Sequence, residues 1–173
     1  MNISVGILTV SDRSARGERP DESGPVLIEL VTRHLAGAVV TYTAIVPDEL
    51  SEITTAIKSW CECGAHLVLT TGGTGFAPRD VTPEAVRAVI EREAPGITYA
   101  MLQASLTKTP HAMLSRPTAG IRGRTLIITL PGSPRACREI FEIIAPALPH
   151  GLALLNEVSE ADQFHDATRE RRA

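Results

Sequence analysis

Between Leu67 and Ala85 the chain reads LVLTTGGTGFAPRDVTPEA, and these residue types in this order suit phosphate chemistry. Leu67–Thr70 is a short apolar run with the composition of a buried strand. It breaks into Thr70-Thr71-Gly72-Gly73-Thr74-Gly75, then Arg79-Asp80, then Thr82-Pro83-Glu84, with Thr82 as the expected N-cap and Pro83 at the first helical position. Glycines between a strand end and a helix start let backbone N–H groups approach a phosphate. An acidic residue just beyond, Asp80, can hold Mg²⁺ against that phosphate, because this ion takes few protein carboxylates and completes its shell with phosphate oxygens and water.

The familiar nucleotide motifs are missing. No Lys-Ser/Thr follows the glycines, so this is not a P-loop, and the only lysines are Lys58 and Lys108. The dinucleotide fingerprint fails because Ala77-Pro78 follows Gly73-Thr74-Gly75. No Gly-x-Ser-x-Gly elbow is present.

The elements that must position the loop can be read from periodicity. Strands are expected at Ile3–Val10, Val39–Val46, Leu67–Thr70 and Thr125–Leu130. Helices are expected at Pro25–Leu35, Leu50–Cys61, Pro83–Arg92, Thr98–Ser105, Pro134–Ile144 and Pro146–Leu155, with Thr107–Arg122 irregular. Alternating strands and helices give a parallel or mostly parallel sheet with helices on both faces. Residues 1–156 form one domain, and from Glu157 the sequence turns polar and reads as a tail, 157–173.

Ligands of such sheets bind outside the carboxyl ends of the strands. The segments found there are Ser11-Asp12-Arg13-Ser14, Pro47-Asp48-Glu49, the glycine loop, and Pro131-Gly132-Ser133-Pro134. Each also has a plain reading: Asp12 and Asp48 as caps or loop residues, the glycines as a tight turn, Ser133-Pro134 as a helix start, Arg116 as a solvated charge. Their convergence carries more than any one of them.

Composition narrows the class. The 173 residues suffice for one sizeable α/β domain. A net charge of −3 and only 3% aromatics disfavour a nucleic-acid binder. With no charged-then-apolar leader and no long apolar span, no membrane role is expected and a cytoplasmic location is the default. Cys61, Cys63 and Cys137 make neither a disulfide framework nor a zinc pattern, and the histidines lack ligand spacing.

Together these segments resemble the molybdenum-cofactor biosynthesis domain family. Thr70–Gly75 with Asp80 and Thr82-Pro83-Glu84 looks like its signature, and Ser11-Asp12-Arg13, Pro47-Asp48-Glu49, Leu114-Ser115-Arg116, Gly120-Ile121-Arg122-Gly123 and Leu130-Pro131-Gly132-Ser133 match in order. From Leu67 to about Leu155 the chain is similar to gephyrin-type G domains. The resemblance implies a three-layer α/β/α sandwich, a homotrimer, and transfer of AMP from Mg-ATP to the terminal phosphate of molybdopterin. It implies Asp48 and Asp80 as catalytic, metal-binding acids. It places Ser11, Asp12, Gly72, Gly73, Thr74, Gly75, Pro131, Gly132 and Ser133 in the binding site, with Ser105, Ser115 and Arg116 toward the pterin side. Arg116 would then clamp a phosphate, and a transient contact with the molybdate-insertion enzyme would follow transfer. A paralogue that binds molybdopterin without transferring anything, or an assembly scaffold, is the alternative.

Overall fold

Strands β1 (Ile3–Val10), β3 (Leu67–Thr71) and β6 (Thr125–Leu130) are buried almost throughout, as strands covered on both faces must be. In this computed structural model, which describes residues 2–156, they form the middle of a six-stranded sheet. Strand β2 (Ala38–Val46) lies at one edge, and β5 (Ala119–Arg122) and then β4 (Arg92–Glu93) at the other, in the order β2-β1-β3-β6-β5-β4. The first four strands of that order are parallel, while β5 runs antiparallel to β6 and β4 antiparallel to β5. The expected polar tail from Glu157 lies outside the described residues.

Alternation along the strands feeds two cores. Ile3, Val5, Ile7, Leu67, Leu69 and Ile128 face α2 (Ser23–His34), α5 (Pro95–Leu106), α6 (Pro134–Ile144) and α7 (Leu148–Leu155). Leu8, Val10, Val68 and Ile127 face α3 (Leu50–Glu62) and α4 (Thr82–Arg87). The result is the expected three-layer sandwich. Helix α6 shows how the sequence writes this: Cys137, Ile140, Phe141 and Ile144 recur at helical spacing and are the buried ones. No helix among the described residues is long and apolar enough to cross a membrane.

Three local expectations need correction. The helix expected over Pro83–Arg92 ends at Arg87, because the chain is drawn into the sheet: Glu91 N–H donates to Ile121 O at 2.8 Å, and β4 follows. The segment Thr107–Arg122, expected to be irregular, contains a 3₁₀ turn, Pro110–Leu114, and strand β5. Gly123, at φ +54°, reverses the chain from β5 into β6, and four residues beside prolines and glycines are too few to show a period. The helix expected at Thr98–Ser105 starts earlier, at Pro95.

Pairing of β1 with β2 slips between Val5 and Gly6, so Thr41 is an extra residue opposite a continuous partner. A methyl group on Gly6 would lie 2.5 Å from Trp60 Cε3, so the glycine leaves room for the indole, which stacks on Tyr42 with ring centroids 5.8 Å apart.

At the amino ends of the strands, Ser4 N–H donates to His66 Nδ1 at 2.9 Å and His66 N–H donates to Ser4 O at 2.9 Å. Burial holds the His66 ring below its ordinary pKa of 6.5, so the unfolded chain binds the extra proton first as pH falls. Stability is therefore expected to be full above pH 6.5 and to decline below it. Thermal melts across this range should slope for the natural chain and flatten for His66→Gln; an equal slope in both would remove His66 as the cause.

Candidate functional site

The order of the strands decides which loops meet. The chain leaves β1 for β2 on one side, then returns through α3 to β3 on the other. The loops after β1 and β3 therefore adjoin where the winding reverses, and those after β2 and β6 flank them. This rim gathers Asp48, Ser11 and Asp12, Gly72 to Gly75, and Pro131 to Ser133.

Gly72 threads a gap that no other residue fits. Its φ is +96°, its N–H donates to Leu130 O at 3.2 Å, and a methyl group on it would lie 2.2 Å from Val10 O. Gly132 presses from the β6 side, where an added Cβ would meet Gly72 Cα at 3.3 Å. Thr82 does not cap α4 as expected, since Val81 is its N-cap residue. The Thr82 hydroxyl instead donates to Gly72 O at 2.9 Å and its N–H to Gly73 O at 3.1 Å, so it pins the glycine loop to the helix.

Two carboxylates face this loop from different sides. Asp48 Oδ2 accepts the Asp12 N–H at 2.8 Å, while Asp48 Oδ1 lies 2.8 Å from where a Cβ on Gly73 would be. Asp80 Oδ2 accepts the Ala77 N–H at 3.1 Å and lies 2.8 Å from the corresponding position on Gly75. Burial, with the nearby charges of Asp12 and Asp80, pushes the Asp48 carboxyl above its ordinary range. A cation at this rim would relieve that cost. Among the described residues no three acidic, histidine or cysteine side chains gather into a self-sufficient metal centre. A metal held here would need oxygens from its ligand, as Mg²⁺ on a polyphosphate has.

Two arginines organise the acids. Arg79, quoted in the sequence but not singled out there, binds Asp12 through two contacts, Nε to Oδ2 at 3.0 Å and Nη2 to Oδ1 at 2.9 Å, and reaches Glu49 Oε1 through Nη1 at 2.7 Å. These contacts hold the Asp12 carboxyl below its ordinary range. An arginine beside Asp80 in an acidic rim was the signal available for it. Arg116 donates through Nε to Gly75 O at 2.8 Å, through Nη2 to Asp80 O, and through Nη1 to Glu84 Oε1. Its own N–H donates to Thr74 O at 2.9 Å. Arg116 thus braces the loop that carries Asp80.

Two cavities adjoin the glycine loop, one at Thr74 and one at Gly72, and Asp48, Asp80 and Arg116 line neither of them. One, of about 220 Å³ and largely apolar, brings together Thr74, Met101, Leu102, Ser105, Ser115 and Pro131. The other, of about 180 Å³ and polar, is bounded by Ser11, Arg13, Asp21, Thr71, Gly72 and Gly132. The Ser11 hydroxyl accepts the Ser14 N–H at the start of α1 (Asp12–Ala15), and Ser133 accepts the Ala136 N–H at the start of α6, so both also act as helix caps. Ser105 Oγ donates to Met101 O at 2.8 Å within α5. The nearby thiol is inert: burial pushes Cys137 up to about 11, and its Sγ donates to Pro131 O at 2.9 Å.

A crest of glycines at the reversal point of a parallel sheet, with two acids facing it, occupies the place where α/β proteins of this architecture commonly bind their ligands, and backbone N–H groups in such a loop suit an anion. The family model of a probable molybdopterin binding domain matches residues 6–150, and the chain belongs to that family, whose setting is molybdenum cofactor biosynthesis. It is 49% identical over 160 residues to gephyrin of Dictyostelium discoideum, covering 88% of this chain and 22% of that protein. It is 42% identical over 154 residues to molybdopterin adenylyltransferase of Helicobacter pylori strain 26695, covering 88% of each. Among solved structures, the molybdopterin biosynthesis enzyme MoaB of Thermus thermophilus matches with a TM-score of 0.83 and 47% identity, over 88% of this chain and 96% of that one.

The close approach at Gly72 sets an expectation for stability. Gly72→Ala should lower the unfolding free energy by about 1–3 kcal/mol, because the methyl meets backbone and the positive φ is strained for alanine. Denaturant unfolding measures this, and an unchanged midpoint would contradict the geometry.

Proposed function

We propose that the chain is a molybdopterin adenylyltransferase. The observation that carries this reading is the placement of the Asp48 and Asp80 carboxylates at Gly73 and Gly75, on a loop that meets an apolar cavity at Thr74 and a polar one at Gly72. Relatives named molybdopterin adenylyltransferase support it, both of these being matched along most of their length.

The reaction joins a phosphate oxygen of molybdopterin to the α-phosphorus of ATP and breaks the α–β bridge, releasing pyrophosphate. A phosphate monoester is largely dianionic near neutral pH, its second pKa being about 6, so it attacks without a strong general base. The work left to the protein is positioning and charge neutralisation. The apolar cavity beside Thr74, Ser105 and Ser115 suits the pterin, and the polar one beside Ser11, Gly72 and Gly132 suits the nucleotide. Backbone groups of Gly73, Thr74 and Gly75 offer hydrogen bonds to phosphate between them. Asp48 and Asp80 would hold Mg²⁺, which supplies charge neutralisation for the triphosphate. Arg116 keeps Asp80 on the crest, and its remaining N–H groups can still meet a phosphate. Transfer in this reading is direct, with the substrate's own phosphate as the nucleophile, and burial keeps the nearby Cys137 thiol from supplying a thiolate.

Incubation with molybdopterin, Mg²⁺ and ATP should yield an AMP-bearing pterin and pyrophosphate, read by mass spectrometry. ADP as product would overturn the assignment, and binding without product would favour the non-catalytic alternative. Asp80→Asn should fold normally and lose roughly 10²–10³ in rate, the usual effect of removing one transition-state charge contact. Near-normal turnover would exclude that role. The assembly proposed is a homotrimer, so light scattering should return about three times the 18.5 kDa chain mass, and a fully active monomer would refute it.

A further inference from the structure

Asp12, Asp48 and Glu49 crowd the same rim, yet only Asp48 presents an oxygen to the glycine loop. Both Asp12 oxygens are taken by Arg79, and Oδ1 also accepts the Asp48 N–H at 3.1 Å. The Asp12 N–H returns a bond to Asp48 Oδ2 at 2.8 Å. This reciprocal pair fixes the Asp48 carboxylate: one oxygen is tied down and the other is turned toward Gly73. Each carboxylate accepts the other residue's main-chain N–H, which brings two negative charges near one another, and Arg79 is the cation in contact with Asp12 that offsets them.

We propose that Arg79 is the positioning residue for Asp48, acting through Asp12. Its guanidinium spends Nε and Nη2 on Asp12 and Nη1 on Glu49, so one side chain from the loop after β3 ties down the loops after β1 and β2. It sits next to Asp80 in the chain, so the same residue links the two carboxylates that face the crest. The fork geometry is needed, because a lysine ammonium cannot make the paired contact to Asp12 and reach Glu49 as well. The Arg79 side chain is 54% exposed, and exposed ion pairs add little to global stability. The contribution of Arg79 therefore belongs to the geometry of the site and should hardly register in a melt. In this arrangement Asp12 is a spacer, and its carboxylate is withheld from the metal.

This inference rests on the adenylyl-transfer reading, and the test separates the two. Arg79→Gln, Arg79→Lys, Asp12→Asn and the Arg79→Gln/Asp12→Asn double variant are compared with the natural chain. Three quantities are read: melting temperature, calorimetric binding of Mg²⁺ with α,β-methylene-ATP, and kcat and KM for molybdopterin. Arg79→Gln should keep the melting temperature within about 2 °C. It should weaken metal–nucleotide binding roughly tenfold and lower kcat about 10²-fold, with KM for molybdopterin unchanged. Arg79→Lys should recover only part of the loss. The double variant should be no worse than the poorer single one, as residues acting in series require. Losses that multiply in the double variant, full recovery by lysine, or metal–nucleotide binding unchanged in Arg79→Gln would each overturn the proposal. A natural chain that forms no adenylylated pterin defeats the adenylyl-transfer reading alone, because the calorimetric cycle still reports on Arg79.

Discussion

The approach of Gly72 to the Val10 carbonyl is the constraint on which the site depends. A parallel sheet brings strand ends to one rim but leaves their loops free to splay. Here the loop after β3 is wedged between the ends of β1 and β6, with its N–H on Leu130 O and its carbonyl on the Thr82 hydroxyl. That wedge sets the height of the crest, and the positions of Asp48 and Asp80 are defined against it. The core behind it is aliphatic and packed from both sides, which gives the rim a rigid base.

Charge does a different job from burial. The ion pairs of Arg79 and Arg116 lie at the surface or half-buried, where such pairs contribute little to the free energy of folding. What they provide is direction: one guanidinium gathers side-chain carboxylates from two neighbouring loops, and the other holds main-chain carbonyls of a third. The rim is therefore ordered by polar contacts on a scaffold ordered by apolar ones. The Asp48 carboxyl marks the boundary, since partial burial raises its pKa while one oxygen still faces the glycine loop.

The sequence made the central strands legible because burial on both faces demands unbroken apolar runs, and the glycine loop legible because its conformation admits little else. Helices α3 and α6 showed through their spacing. The edge β4–β5 did not, since two- and four-residue strands beside turn residues have no period to detect. The partners of Arg79 and Arg116 were hidden for another reason. Asp12 lies 67 residues from Arg79, and Gly75 lies 41 from Arg116, so only the strand order brings them together. Thr82 was misread because a threonine before Pro-Glu suits a cap locally, while the glycine loop competes for its hydroxyl.

The two margins of the sheet are guarded unequally against unwanted self-association. At β4 the outermost strand is only two residues long, both of them charged, and offers almost nothing for another chain to extend. At β2 the nine-residue strand leaves Val39 and Ile45 in water, which is the composition that invites cross-β pairing. The slip opposite Val5 and Gly6 breaks this strand into unequal parts and adds twist there. An incoming strand therefore meets an uninterrupted template only from Tyr42 to Val46, so the same irregularity that accompanies Trp60 packing also shortens the surface from which fibrils could nucleate.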